Sequence, residues 1–358
     1  MAVRSVEGTG KISDTDEDLR KILETRKAEI KVIGVGGAGN NTVSRMMQVG
    51  VVGAQIIAAN TDAQDLLYTD ADKKVLLGRD LTRGLGAGAD PNVGMESARE
   101  SREDIKDALK GGDMVFITCG LGGGTGTGAS PVIADLAKKM GLLTVGVVTL
   151  PFSMEGKHRM ENARKGLSEL QKTVDTLIVI PNDKLLEIVP DVSIVSAFKI
   201  CDEILVNAVK GVTELVTKPG LVNLDFADIR AVMTNGGIAM IGMGESDTEN
   251  RAVEAVEKAL NNPLLDVEID GANGALVNVS GGTDVTIKEC QEIVEAVSTK
   301  LSDDAKIIWG AQISKELGDI VRALLIVTGV KAPIGYTGET FSKEKQKEIE
   351  KILGIEFV

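Results

Sequence analysis

The chain has 358 residues, with 40 Lys and Arg against 53 Asp and Glu and a formal net charge of −13, which argues against nucleic acid or an anionic membrane as a direct partner. Glycine fills 41 positions while Phe, Trp and Tyr make up only 3%, so something other than ordinary packing asks for glycine. At 43% apolar the chain is expected to be a soluble globular protein of about two domains.

Cys119, Cys201 and Cys290 are too far apart for a CxxC pair, and His158 is the only histidine. A His/Cys zinc site is thereby excluded, and reduced thiols in a cytoplasmic protein are expected. No apolar run reaches the ~18 residues that read as a membrane span, and the N-terminus is charged and lacks an apolar signal core.

Residues 1–28 are polar and rich in charge and read as an extension outside the core. From Glu29 onward apolar runs at 30–35, 54–59, 74–77, 114–119, 143–150 and 176–180 read as strands, and the stretches 40–49, 94–110, 131–140 and 159–172 between them as helices. Alternating β and α predicts a Rossmann-like parallel sheet covered on both faces, a domain over 29–194. Apolar positions 197, 201, 204, 205, 208, 212, 215 and 216 form one helical stripe that stops at Lys218, Pro219 and Gly220, which predicts a long central helix over 195–217. The pattern then restarts with helices near 225–235, 249–261 and 286–300 and strands near 238–243, 275–280, 305–313 and 320–329. These predict a second, smaller α/β domain over 218–335, followed by a charged tail at 336–358 that closes on the apolar LGIEFV.

Three glycine clusters follow strands. Gly34 to Gly39 matches G-x-G-x-x-G between a strand and a helix, with Asp62 about 20 residues on, the arrangement of a dinucleotide fold. Alone it would point to an NAD(P)-dependent oxidoreductase. Gly122-Gly123-Gly124-Thr125-Gly126-Thr127-Gly128 carries five glycines in seven positions. Each costs roughly 0.5–1 kcal/mol of extra chain entropy, and consecutive N–H groups with two hydroxyls make an anion cradle. Positive-φ turns explain only one or two of the five. The third cluster is Gly84, Gly86 and Gly88; no G-x-x-x-x-G-K-[ST] occurs, so this is not a P-loop.

Together GGAGNN at 36–41, NTDAQ at 60–64, GLGAG at 84–88 and GGGTGTG at 122–128 resemble the phosphate loops of the tubulin/FtsZ superfamily. The likeness is greatest to its prokaryotic cell-division GTPases. It continues through PFSMEGKHRMENA at 151–163, IPNDKL at 181–186 and NLDFADIRAVM at 223–233. The resemblance implies a tubulin/FtsZ fold and GTP/GDP held at Gly36, Gly37, Ala38, Gly39, Asn40, Asn41, Asn60, Asp62, Ala87, Gly88, Gly122, Gly123, Gly124, Thr125, Gly126, Thr127 and Gly128. Glu155 and Arg159 match ribose and phosphate contacts, and Asn182, Phe198 and Asp202 the guanine site. A carboxylate accepting from guanine N1–H and N2–H₂ discriminates against adenine, and a ring stacks on the base. On composition alone Arg159 and Asp202 would be solvated charges and Phe198 core.

The resemblance further implies that Asn223, Asp225 and Asp228 complete hydrolysis. Asp225 equally fits a helix N-cap and Asp228 a dipole partner. A central helix of about 22 residues spans roughly 33 Å, so these acids are expected to serve a neighbour's nucleotide in a head-to-tail filament that does not close. Mg²⁺ is expected through phosphate oxygens and water, with no protein cage. The expected whole is a GTPase activated by polymerisation that forms a ring at the division site and reaches the membrane through an adaptor on the C-terminal tail. A non-dividing filament paralogue is the alternative within the superfamily.

Overall fold

The computed structural model describes residues 28–184, 193–217, 222, 224–262, 272–302 and 304–330. The predicted extension up to residue 27, Asn223 and the tail at 336–358 lie outside the described residues.

Among the described residues ten strands form one sheet in the order β3-β2-β1-β4-β5-β6-β7-β10-β8-β9. The first six are β1 (Ile30–Val35), β2 (Ala54–Asn60), β3 (Lys73–Leu76), β4 (Met114–Gly120), β5 (Leu143–Leu150) and β6 (Thr176–Pro181), all paired in parallel. The other four are β7 (Gly237–Ser246), β8 (Gly274–Gly281), β9 (Lys306–Ile313) and β10 (Val321–Thr328). In that half β10 runs antiparallel to both β7 and β8, and β8 runs parallel to β9. The halves join where β6 and β7 pair in parallel over Thr176↔Gly237, Leu177↔Ile238 and Ile178↔Ala239. The sheet is thus mixed and continuous.

The helices of the first half are α1 (Gly36–Val49), α2 (Ala63–Tyr68), α3 (Arg79–Thr82), α4 (Pro91–Glu100), α5 (Arg102–Leu109), α6 (Thr125–Lys139) and α7 (Lys157–Thr173). After them come the central helix α8 (Ile194–Thr217), then α9 (Phe226–Met233), α10 (Arg251–Leu260) and α11 (Ile287–Ser298). One face of the parallel half packs Ala98, Ile105, Ile133 and Leu167 from α4 to α7 against the strands. The other packs Val43 and Met46 of α1, Leu205, Val209 and Val212 of α8, and Ile229 and Met233 of α9. The same cluster takes in Leu276, Leu324 and Ile326 from the second half, so the apolar stripe of α8 buries itself across both.

Three of the expected helices differ from the pattern reading, and two short ones, α2 and α3, were not in it. The stretch 94–110 is two helices, broken at Ser101, whose hydroxyl accepts from Gly78 N–H and so is diverted from the helix. The helices expected to begin at 40 and 131 begin instead at Gly36 and Thr125, inside the glycine loops. Low helix propensity hid these first turns, where glycine is required by a positive φ of +72° at Gly36 and by close packing at Gly39 and Gly128.

Candidate nucleotide site

Both glycine loops turn directly from a strand into a helix, so two helix N-termini face the carboxyl ends of β1 and β4. Neither is capped: Val35 and Gly124 at the two N-cap positions give no side-chain hydrogen bond, and neither first turn holds an acid. The helices α2, α4 and α11, by contrast, are capped by Asp62, Asp90 and Thr286. Each uncapped terminus leaves N–H donors without an intrahelical partner and carries the positive end of a helix dipole. The two are adjacent, since a β-carbon placed on Gly36 would lie 3.0 Å from Gly126 N. An anion is the natural counterpart of that pair.

A cleft of about 330 Å³ opens at this point. It is lined by Gly36, Gly37, Ala38 and Asn41 of the first loop and by Gly123, Gly124, Thr125 and Gly126 of the second. Glu155, Arg159, Asn182, Phe198 and Asp202 complete its wall. Glu155 joins the rim to the cleft, accepting from Phe152 N–H at 2.9 Å and from the Arg159 guanidinium at 2.5 Å. Phe198 stays 45% exposed, its ring held edge-on to Phe152 at a centroid distance of 5.4 Å, so one face is free for stacking. Asp202, one turn on, accepts from Thr42 Oγ1 at 2.8 Å. Burial raises its carboxyl above the usual range, and the Thr42 hydroxyl and the charge of Arg45 only partly oppose this. Asn182 is buried and accepts from Cys201 Sγ at 3.4 Å; burial, with Asp202 adding to it, pushes that thiol up to about 12.

The remaining expected contacts stand behind this surface. Asn40 and Asn60 are buried, and both donate their side-chain amides to Asp65. Asp62 spends Oδ1 on the N–H groups of Gln64 and Asp65. Thr127 accepts from Gly122 N–H at 2.9 Å inside its own loop. A larger groove of about 1180 Å³ between α4, α6 and α7 takes Gly88, Thr127 and Gly128 into its lining. It takes in neither the first glycine loop nor the Phe198–Asp202 pair, so the smaller cleft, which joins both loops to that pair, is the nucleotide candidate. Ala87 is buried, its methyl 2.8 Å from a β-carbon placed on Gly124.

The glycines divide by reason. Only Gly122 in the second loop has a positive φ, +105°, while a β-carbon on Gly128 would overlap the Pro91 carbonyl and one on Gly39 would lie 2.5 Å from Thr118 O. These positions are glycine because helix meets helix or strand there. Gly123 has open space around it. Close packing, which neither turn preference nor phosphate approach reveals in a sequence, accounts for several of the five.

The acids expected to act in hydrolysis are elsewhere. Asp225 occupies the N-cap position of α9 without a side-chain cap bond, and Asp228 lies in the first turn; both are exposed. Helix α9 is fixed at the amino ends of the strands. Arg230 Nη2 donates to Asp113 O, at the entrance of β4, at 3.3 Å, and Thr176 Oγ1, at the start of β6, donates to Met233 O. The second glycine loop leaves the far end of β4.

Comparison with known proteins agrees with this geometry. Residues 29–190 match the Tubulin/FtsZ family GTPase domain, and residues 237–331 the FtsZ family C-terminal domain. Cell division protein FtsZ 1 of Thermococcus kodakarensis is 61% identical over 342 residues, 94% of this chain and 91% of that protein. Cell division protein FtsZ 1 of Methanocaldococcus jannaschii is 58% identical over 338 residues, 94% and 93% of the two chains. A solved FtsZ dimer from M. jannaschii superposes with a TM-score of 0.87 at 59% identity, covering 91% of this chain and 95% of that one. The nicotinamide reading of the first loop and the non-dividing paralogue find no support among these. With both family domains in place and relatives more than half identical along nearly the whole length, this chain belongs to the tubulin/FtsZ family, in its FtsZ cell-division GTPase branch.

Proposed function

We propose that the 330 Å³ cleft binds GTP with its phosphates on the two uncapped helix termini and its base between Phe198 and Asp202. The reading rests above all on the convergence of two acid-free, uncapped N-termini beneath a stacking ring and a half-buried carboxylate. Glu155 and Arg159 sit where the ribose and phosphates meet the rim. Mg²⁺ fits the site as a hard ion on phosphate oxygens and water. Among the described residues no cluster of three His, Cys, Asp or Glu could hold a metal, so the nucleotide itself would supply most ligands. When bound, the ion offsets charge on the phosphates.

Subunits assemble head to tail, so that Asp225 and Asp228 of one face the nucleotide of the next. Seven residues of β4 separate the two poles, roughly 23 Å of strand, too far for Asp228 to reach its own subunit's phosphate. The uncapped Asp225 and exposed Asp228 are free to orient a water. Its oxygen bonds to the γ-phosphorus as the bond to the β-phosphate oxygen breaks, and its proton passes to a carboxylate or solvent. Asn223 belongs to the same loop by resemblance. Self-association of this kind is in keeping with the dimer in which the M. jannaschii relative was solved. Such filaments would act at the division site in the cytoplasm, tied to the membrane by an adaptor on residues 336–358; among the described residues no helix is long and apolar enough to cross a membrane.

Light scattering with GTP and Mg²⁺ tests this: the signal rises, then decays as GTP is consumed. A flat trace with intact GTP turnover would overturn assembly-coupled hydrolysis.

A further inference from the structure

One acid beside the phosphate loops is absent from the residues that the resemblance supplies. Asp65, in the first turn of α2, accepts from Asn40 Nδ2 at 3.0 Å and from Asn60 Nδ2 at 2.6 Å, both on Oδ2. Asn40 opens the second turn of α1, and Asn60 ends β2. Asn60 Oδ1 accepts in turn from Thr61 N–H at 2.8 Å, and the Thr61 and Thr125 hydroxyls meet at 2.6 Å. A single carboxylate oxygen thus ties the first glycine loop to the loop after β2, and through Thr61 to the second glycine loop. The arrangement has a cost: with its NH₂ committed to Asp65, Asn40 keeps a buried Oδ1 that has no partner among the described residues. The same Asp65 oxygen lies 3.8 Å from a β-carbon placed on Gly37, which sets a negative charge against the loop that receives phosphate.

We propose that Asp65 is a positioning residue with two effects on the nucleotide site: its acceptor oxygen holds the phosphate loops in register, and its charge makes triphosphate binding depend on a divalent cation. A carboxylate beside a polyanion raises the free energy of the metal-free complex and leaves the cation-neutralised one nearly unchanged. Both effects rest on the assignment of GTP to this cleft.

The test is the affinity of the full chain for a non-hydrolysable GTP analogue, with Mg²⁺ and with EDTA, in wild type, Asp65→Asn and Asp65→Ala. One amide oxygen can accept both hydrogen bonds, so Asp65→Asn keeps the register and removes the charge. Its affinity in Mg²⁺ stays within a few-fold of wild type, and its affinity in EDTA rises about tenfold. Asp65→Ala loses the acceptor and weakens binding about ten- to a hundredfold in Mg²⁺. Wild-type affinity in Asp65→Ala would overturn the positioning role, and an unchanged ratio of Mg²⁺ to EDTA affinities in Asp65→Asn would overturn the charge role. Should Asp65→Ala not fold, the isosteric variant still decides the second. If the wild-type chain bound no analogue in either buffer, the assignment of the cleft itself would fail instead.

Discussion

Arg230 donates a hydrogen bond to the carbonyl of Asp113 at 3.3 Å, and this pins the helix that carries Asp228 to the amino end of the strand whose other end opens into GGGTGTG. The two halves of the proposed chemistry are thereby built on opposite poles of one β-strand. A rigid strand cannot bring them together, so only a second subunit can.

Asp228→Ala should bind GTP as wild type does and still assemble, while turnover falls about 10²- to 10⁴-fold, the range for loss of a positioned acid or base. Nucleotide affinity, sedimentation and phosphate release, measured side by side, check this. Loss of nucleotide binding in this variant would place the acid in its own subunit's site.

Asp202 is a half-buried carboxylate whose proposed part in guanine recognition comes at the expense of stability. Its pKa is raised in the folded state, so folding is penalised at pH values above that raised pKa, and the penalty disappears as pH falls through it. Asp202→Asn should melt at a higher temperature than wild type at neutral pH without nucleotide. The difference should shrink on acidification, and GTP affinity should drop because the amide sets an NH₂ donor where one of the two guanine donors needs an acceptor oxygen. Melting curves from neutral to acidic pH follow the first effect and titration with GTP the second.

The glycines of the second loop should respond differently to alanine. Gly128→Ala drives a methyl into the Pro91 carbonyl and should cost about 1–3 kcal/mol, as overpacked sites do, which thermal melts will register. Gly123→Ala meets open space, so its melting temperature should stay near wild type while GTP binding weakens. Equal stability losses at both positions would mean that the loop is packed throughout and is no cradle.

The thiols should be inert. Burial pushes Cys119 and Cys201 up to about 12, so alkylation of the folded protein near pH 8 should proceed only as fast as unfolding exposes them. Mass spectrometry of a labelling time course separates this from rapid modification at Cys201, which would show an open base pocket.

Much of the fold could be read from periodicity because buried parallel strands are continuous apolar runs: β1 and β5 have the bounds that their apolar runs gave. The stripe of α8 was legible for the same reason, its buried face including 197, 201, 205, 208, 212 and 215. The joining of the halves into one sheet was not, since three residue pairs between β6 and β7 leave no mark on either strand's pattern. Within the site, Phe198 and Asp202 were legible only through the resemblance, because on composition alone they read as core and as a solvated charge. Asp65 was missed because its role depends on Asn40 and Asn60 arriving from two other elements, although an acid three residues after Asp62 was there to be noticed.

The most direct test mixes two variants. Asp228→Ala keeps an intact nucleotide cleft and lacks the acid; Asp202→Ala keeps the acid and cannot hold guanine. Each alone should turn over little GTP. If the acid serves the neighbour's nucleotide, mixing them restores phosphate release well above the sum of the separate rates, because the acids of one variant complete the cleft of the other. A mixture no more active than that sum, with co-assembly demonstrated by sedimentation, would contradict hydrolysis at the subunit contact.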